Sequence, residues 1–87
     1  MKLALFHPKA RDAIREFPED VRREFGKVIF DLQKGEKHSM PLSRPLSSVA
    51  LGVEELRMRL RSGAYRVFYY TKLADSVLIF HAFAKKT

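Results

Sequence analysis

The chain has 87 residues, a length that suits one small domain over residues 1–87 with a single hydrophobic core. Hydrophobic residues make up 46% and charged residues 31% of the sequence, which is typical of a globular protein rather than a disordered one. The lack of cysteine excludes a disulfide scaffold and any thiolate metal site. Every apolar run is shorter than the roughly 20 residues of a membrane-spanning helix, and the apolar stretch before His7 is too short for a signal peptide, so we expect a cytoplasmic protein.

The charge is strongly basic and unevenly distributed. Lys and Arg number 17 against 10 Asp and Glu, which leaves a net charge of +7. Residues 1–34 carry eight bases and six acids, whereas residues 54–87 carry seven bases and three acids. Such a field attracts polyanions, so nucleic acid, an acidic protein or both are the indicated partners. The alternative is a basic soluble protein whose charge has no specific target.

The first two predicted elements are a strand and a short helix. Leu3–Phe6 is an apolar run that ends at His7-Pro8 and predicts the first strand. Proline suits the first turn of a helix, so a helix is predicted to begin near Pro8. Its apolar residues recur at i, i+3, i+4 and i+7 on one face: Ala10, Ala13, Ile14 and Phe17.

A second helix is predicted to follow Pro18. Glu19 and Asp20 place negative charge at the positive end of its dipole, and Gly35 is a natural C-cap. The apolar positions of this helix form one stripe: Val21, Phe25, Val28, Ile29 and Leu32. Residues 36–53 are rich in proline, glycine and serine and are interpreted as an irregular connection over the surface.

After residue 53 the apolar pattern changes to a period of two, which is typical of strands. The segment around Leu56–Leu60 alternates with arginines, Ser62-Gly63 is a turn signal, and Tyr65–Thr71 is rich in aromatic and β-branched residues. Lys72–Ser76 is a second turn region, and Val77–Phe83 is nearly continuous apolar sequence, as expected of a central strand covered on both faces. The predicted order is β-α-α-β-β-β. It describes an α+β domain with two helices on one face of a mostly antiparallel four-stranded sheet.

The predicted hairpin separates apolar residues from arginines. A two-residue Ser62-Gly63 loop would set Arg59 opposite Arg66 and Arg57 opposite Phe68. One face would then meet the helices with Leu56, Met58, Leu60, Tyr65, Val67 and Tyr69. The other face would carry Arg57, Arg59, Arg61, Arg66, Phe68 and Tyr70.

A like-charge pair such as Arg59 and Arg66 is destabilising unless something neutralises it, and a polyanion would do so. Guanidinium groups bind phosphate oxygens through paired hydrogen bonds, and aromatic rings stack on unpaired bases. This face therefore indicates a surface for nucleic acid. The alternative is an ordinary solvated outer face, on which arginine is simply permitted.

The end of the chain adds three more potential donors, His81, Lys85 and Lys86. An amine crowded by arginines gives up its proton more readily, because like charge disfavours the protonated form. Such a lysine could act as a general base near neutral pH. The alternatives are a basic tail for the two lysines and a packed core or rim position for His81. The three histidines show no metal-ligand spacing, and no glycine-rich phosphate loop is present, so we expect no metal and no cofactor.

Three stretches, taken in their order and spacing, resemble a known group of proteins. They are Glu55-Leu56-Arg57, Tyr65-Arg66-Val67-Phe68-Tyr69 and the C-terminal His81-Ala82-Phe83-Ala84-Lys85-Lys86-Thr87. The sequence resembles the RelE/HigB superfamily of toxins from type II toxin–antitoxin modules, and within it the phage-derived Gp49-like branch of HigB-type toxins. The resemblance covers essentially the whole chain and implies the RelE-like fold.

The resemblance also implies an activity. Such toxins are ribosome-dependent endoribonucleases, or mRNA interferases, in which the RNA 2′-hydroxyl attacks the adjacent phosphate without a metal. Carried over by position, Arg57 and Arg66 would stabilise the phosphorane, and Lys85 or Lys86 would act as a base or further stabiliser. Arg59, Arg61 and His81 would contact RNA, and Tyr69 or Tyr70 would stack on or orient a base.

The implied partners are the ribosome with its mRNA and a cognate antitoxin, in this branch usually a helix-turn-helix protein, in a toxin–antitoxin hetero-oligomer. Two alternatives remain. One is a toxin of related fold that binds a protein such as DNA gyrase without cleaving RNA. The other is a degenerate homologue that binds a protein or nucleic acid.

Overall fold

The computed structural model describes residues 1–37, 42–46 and 48–85. Strand β1 (Leu3–Phe6) leads directly into helix α1 (Pro8–Arg15). The His7 side chain caps this helix, because its Nδ1 accepts a hydrogen bond from the Lys9 backbone N–H at 3.2 Å. Pro8 occupies the first helical turn, as the sequence predicts.

Helix α2 (Glu19–Gln33) also follows its prediction. The predicted stripe from Val21 to Leu32 is the buried face of the helix. The helix ends in a Schellman motif, in which the Gly35 N–H donates to Leu32 O and the Glu36 N–H donates to Asp31 O, both at 3.0 Å. Gly35 has φ +91°, a conformation that glycine adopts without strain. Neither helix of the described residues has the length and hydropathy that crossing a bilayer requires.

The described residues form a five-stranded mixed sheet rather than the predicted four-stranded one. Its strand order is β1-β5-β4-β3-β2, where β2 is Ser43–Pro45, β3 is Val53–Leu60, β4 is Gly63–Tyr70 and β5 is Ser76–Lys85. Strand β1 pairs parallel with β5, and every other pair is antiparallel. The α+β class, the two helices and the mostly antiparallel pairing are confirmed.

Strand β2 is the element that the sequence pattern did not predict. It lies inside the segment interpreted as irregular. Its three residues show no alternation of apolar and polar side chains from which a strand could be predicted. Its Pro45 lacks an N–H donor, which restricts proline to edge strands such as this one. Arg44 pairs with Glu55 across the ladder, so β2 brings an additional arginine to the sheet.

Both helices pack on one face of the sheet. The core joins Ile14, Phe25 and Ile29 to strand residues such as Leu56 and Ile79. The opposite face has no described helix against it, and we call it the open face. The expectation that Val77–Phe83 is covered on both faces is therefore wrong. Strand β5 is central, but its nearly continuous apolar sequence serves the core on one side and the open face on the other.

The β3–β4 hairpin keeps its predicted faces but not its predicted register. Leu60 pairs with Gly63, so the two-residue loop is Arg61-Ser62 and Gly63 begins the strand with φ +146°. Arg57 lies opposite Arg66, where the sequence predicted Phe68. This change moves pairing by two residues, and the period of a strand is also two. The same side chains therefore stay on the same face.

The fully buried Leu56 tests the assignment of the core face. We expect Leu56→Ala to lower the free energy of unfolding by about 2–5 kcal/mol, because it removes a fully buried side chain and leaves a cavity. The control Leu51→Ala, at a position that is 81% exposed, should change it by less than about 0.5 kcal/mol. Chemical denaturation followed by circular dichroism measures both. Equal effects would contradict the assignment.

Candidate functional site

One end of the β3–β4–β5 region holds a cluster of cationic side chains. Arg57 pairs with Arg66, and Ala64 pairs with both Arg59 and Lys85, so the strand register puts the four cations on the open face. They line a shallow groove of about 530 Å³, which we call the basic groove. Within the described residues, the register and the groove together support the predicted association of Arg57, Arg59, Arg66 and Lys85.

A buried carboxylate lies beside two arginines of this groove. Glu55 is on β3, two residues before Arg57, and its side chain is 7% exposed. The Arg66 Nη1 donates a hydrogen bond to Glu55 Oε2 at 3.1 Å. The Arg44 and Arg57 Nε atoms lie 3.6 and 3.9 Å from Glu55 Oε1. Glu55 therefore neutralises much of the repulsion between the opposed Arg57 and Arg66, a pair that the sequence had located at Arg59 and Arg66.

The other oxygen of this carboxylate is incompletely satisfied. Glu55 Oε1 is buried and has no hydrogen-bond partner among the described residues, because both nearby guanidinium groups stand beyond hydrogen-bond distance. Arg44 and Arg57 are thus attracted by charge but not fixed by a hydrogen bond to Glu55. Their side chains are 46% and 40% exposed, so they can reach a ligand in solvent.

Sequence reasoning missed Glu55 and Arg44 as parts of the site. Glu55 opens one of the three stretches that carry the resemblance, but no role was assigned to it. Glu55, Arg57 and Arg59 occupy alternate positions of one strand and so share a face. That alternation was the signal that could have identified Glu55. Arg44 had no such signal, because it belongs to the unpredicted strand β2.

The other predicted site residues that the structure describes do not line the basic groove. Arg61 is an exposed residue of the hairpin loop, and His81 is exposed on the open face opposite Phe68. Tyr70 is half-buried on β4, four residues or about 13 Å along the strand from Arg66, and does not line the basic groove. Lys86 lies outside the described residues.

Tyr69 lies on the opposite face from the basic groove. It is 1% exposed and packs in the core, and its hydroxyl lies 2.6 Å from Ser43 Oγ, which in turn donates to Glu54 Oε1 at 3.0 Å. The expectation that Tyr69 stacks on a base is therefore wrong for this arrangement. Burial is the main reason why the pKa of Tyr69 is raised above its usual value of 10.0; the hydrogen bond to Ser43 opposes this shift and the Glu54 charge adds to it.

The Glu55 carboxylate leads to a stability prediction. Glu55→Gln removes the negative charge that offsets the repulsion between Arg57 and Arg66. We therefore expect it to lower the free energy of unfolding by about 1–3 kcal/mol at low salt. The loss should shrink at high salt, which screens the repulsion. Denaturation at two ionic strengths measures this. Glu19→Gln, in an exposed helix pair, is the control and should cost less than about 1 kcal/mol. A Glu55→Gln protein as stable as the parent at low salt would contradict this role.

The raised pKa of Tyr69 leads to a prediction about alkaline stability. The unfolded chain loses the tyrosine proton near pH 10 while the folded chain retains it, so this contribution is complete below pH 10 and declines as the pH rises further. We expect Tyr69→Phe to remove that part of the alkaline decline. Thermal denaturation between pH 8 and 11 would show it, with phenolate absorbance as a second readout. A decline of the same size in Tyr69→Phe would disprove the assignment.

Comparison with known proteins places the fold and the family. The family model of the phage-derived protein Gp49-like (DUF891) matches residues 12–87. The isolated E. coli RelE toxin is 16% identical with a TM-score of 0.63, over 100% of this chain and 87% of that one. A chain of the intact E. coli RelBE toxin–antitoxin complex gives the same identity and TM-score with both chains fully covered.

A chain of the RelBE2 toxin–antitoxin complex from Mycobacterium tuberculosis is 20% identical with a TM-score of 0.66, over 97% of this chain and 98% of that one. No curated protein sequence gives a match. The structural likeness, at these identities, concerns the fold, and the family model covers most of the chain. The resemblance drawn from three sequence stretches is confirmed: the chain belongs to the phage-derived Gp49-like family and has the fold of the RelE toxins.

Proposed function

We propose that this protein is the toxin of a type II toxin–antitoxin module and that it cleaves messenger RNA on the translating ribosome. Membership of the Gp49-like family and the fold shared with RelE toxins support the first part. The basic groove supports the second, because it gathers four cations on an open face where a polyanion can reach them. This cluster, with its one carboxylate already engaged by arginines, is the observation that carries the proposal.

The proposed reaction is an internal transesterification of RNA. The ribose 2′-oxygen attacks the adjacent phosphorus, the bond from phosphorus to the 5′-oxygen breaks, and the products are a 2′,3′-cyclic phosphate and a 5′-hydroxyl. A base accepts the 2′-hydroxyl proton, and the leaving 5′-oxygen gains one. Arg57 and Arg66 would contact the phosphorane oxygens, whose negative charge grows at the transition state.

The other predicted residues would act around this centre. Lys85, on the wall of the groove, would serve as the base or as a further charge stabiliser, and Lys86 is its proposed alternative. Arg59 and Arg61 would hold the flanking phosphates, since both are exposed near the hairpin loop. His81 and Tyr70 would contact bases along the open face, His81 being the nearer of the two to Arg66 along the register.

The proposed regulation is by a protein antitoxin. Two of the structural neighbours are chains of toxin–antitoxin complexes, which supports a cognate antitoxin here, and we expect a helix-turn-helix protein that forms a hetero-oligomer with this chain. The strongly basic surface suits an acidic segment of such a partner. The site of action would be the cytoplasm, where ribosomes translate mRNA.

Cleavage on and off the ribosome tests the proposal. The purified protein is added to a reconstituted translation reaction, and the 5′ ends of the message are mapped beside the same RNA without ribosomes. We expect cuts that appear on translated message and are absent from the same RNA without ribosomes. Arg66→Ala should slow cleavage by about 100- to 1000-fold, because it removes a donor to the developing charge. Ribosome binding should weaken steeply as salt rises.

The matched control is Arg23→Ala, which removes an arginine of similar charge from the exposed surface of α2. It should cleave at the parental rate. Cleavage by Arg66→Ala at that same rate would show that the basic groove is not the active site. A parent protein that leaves translated message intact would contradict the nuclease assignment and favour a toxin that binds a protein target.

A further inference from the structure

Four aromatic side chains form a second feature of the open face, next to the basic groove. Phe68 on β4 contacts three rings of β5, with centroid separations of 6.2 Å to Phe80, 5.4 Å to His81 and 6.1 Å to Phe83. His81 and Phe83 also touch, at 5.4 Å. We call these four residues the ring patch. His81 is exposed and the three phenylalanines are half-buried, so the ring patch lies at the solvent boundary.

A β-bulge creates this concentration of rings. Phe68 pairs with His81 and Tyr69 pairs with Ile79, which leaves Phe80 as an extra residue of β5. Ile79 and Ala82 still point into the core, at 0% and 7% exposure. Two consecutive residues, Phe80 and His81, therefore face the open side together. A regular strand would have sent one of them to the core.

The ring patch has no structural purpose that the described residues reveal. An antiparallel sheet with one covered face usually presents polar side chains on the other. Here the open face carries contacting aromatic rings that are partly open to solvent, and apolar patches of this kind mark interaction sites. The ring patch is separate from the main hydrophobic core cluster, whose strand residues face the helices.

The position of the ring patch indicates what binds. Phe83 is the cross-strand partner of Arg66, so their Cβ atoms stand about 5 Å apart and the patch is continuous with the basic groove. The acid that borders the patch, Glu55 opposite Phe68, already pairs with arginines. A ligand that spans both regions must carry negative charge at one end and a flat apolar surface at the other. A nucleotide of single-stranded RNA has both.

We infer that the ring patch is a stacking surface for the unpaired base of a nucleotide adjacent to the phosphate held in the basic groove. This inference rests on the proposed function. Phe83 is the ring nearest the arginines in the strand register, so it would carry the principal stacking contact. Phe68, Phe80 and His81 would support Phe83 and extend the surface along the strand. Stacking of this kind accepts any base, so the ring patch would add affinity and position the ribose without reading sequence.

The test uses RNA that binds but cannot be cut. Ribosomes are programmed with a message that carries a 2′-O-methyl ribose at the mapped cleavage position and 2-aminopurine at neighbouring positions in turn. The 2-aminopurine fluorescence falls when the base stacks. We expect the parent protein to quench it at one position. Phe83→Leu, which keeps the apolar volume but removes the ring, should lose most of the quenching and bind roughly tenfold more weakly. Phe83→Tyr should restore both.

Two control variants separate stacking from general apolar contact. Phe30→Leu removes a ring that is 49% exposed on α2, and Leu5→Ala trims an open-face residue of β1 that is 44% exposed and outside the ring patch. Both should bind and quench as the parent does. Circular dichroism confirms folding, and Phe80→Leu provides a second variant of the patch. Parental quenching and affinity in both Phe83→Leu and Phe80→Leu would overturn the inference.

Other outcomes identify other occupants. If Leu5→Ala weakens binding as much as Phe83→Leu, the open face is an apolar docking surface for protein, and the inference is wrong. If the parent protein self-associates in sedimentation and Phe83→Leu abolishes this while RNA binding is unchanged, the patch is an interface between copies of this chain, which also overturns the inference. A parent protein that neither cuts the unmodified message nor binds the 2′-O-methyl message would refute the proposed function itself. Cleavage of unmodified message that is lost in Arg66→Ala but unchanged in Phe83→Leu would refute the ring patch alone.

Discussion

The arrangement of the open face depends on one buried carboxylate. Glu55 lies beside the guanidinium groups of Arg44, Arg57 and Arg66, and its position lets two arginines face each other across the β3–β4 ladder. Opposed like charges weaken a strand pair, so a hairpin with this register needs a counter-charge close by. Glu55 provides it from within the same strand. The carboxylate thus links the folding of the hairpin to the presentation of cations on its outer surface.

Strand alternation and one β-bulge determine which side chains lie on each face of the sheet. Strand alternation sends apolar residues to the helices and arginines outward, and the bulge at Phe80 interrupts that alternation in β5. The basic groove occupies the end of the sheet near the hairpin loop, and the ring patch continues from Arg66 through Phe83 and His81. Two chemistries therefore lie side by side on one face, because the strands that carry them are neighbours in the sheet.

The sequence was informative wherever a feature depended on periodicity. The stripe from Val21 to Leu32 and the two faces of the hairpin followed from spacing alone, and both are confirmed. The hairpin register did not follow, because shifting the pairing by two residues leaves every side chain on its own face. Strand β2 had too few residues to show a pattern. The bulge at Phe80 depends on how β5 pairs with β4, which the sequence of β5 alone does not determine. Glu55 was readable from its alternation with Arg57 and Arg59, but its role needed the observed burial.

The charge balance of the groove bears on why such a site would favour a transition state. The guanidinium groups of Arg44, Arg57 and Arg66 lie around the carboxylate of Glu55, and Arg59 and Lys85 add two more cations to the same face. Folding therefore leaves an excess of positive charge that Glu55 cannot neutralise. A phosphodiester in its ground state carries one negative charge, whereas a phosphorane formed by attack of the 2′-oxygen carries more. Cations that the fold holds close together stabilise the more highly charged species more strongly. A difference of this kind, rather than tight binding of substrate, accelerates a reaction.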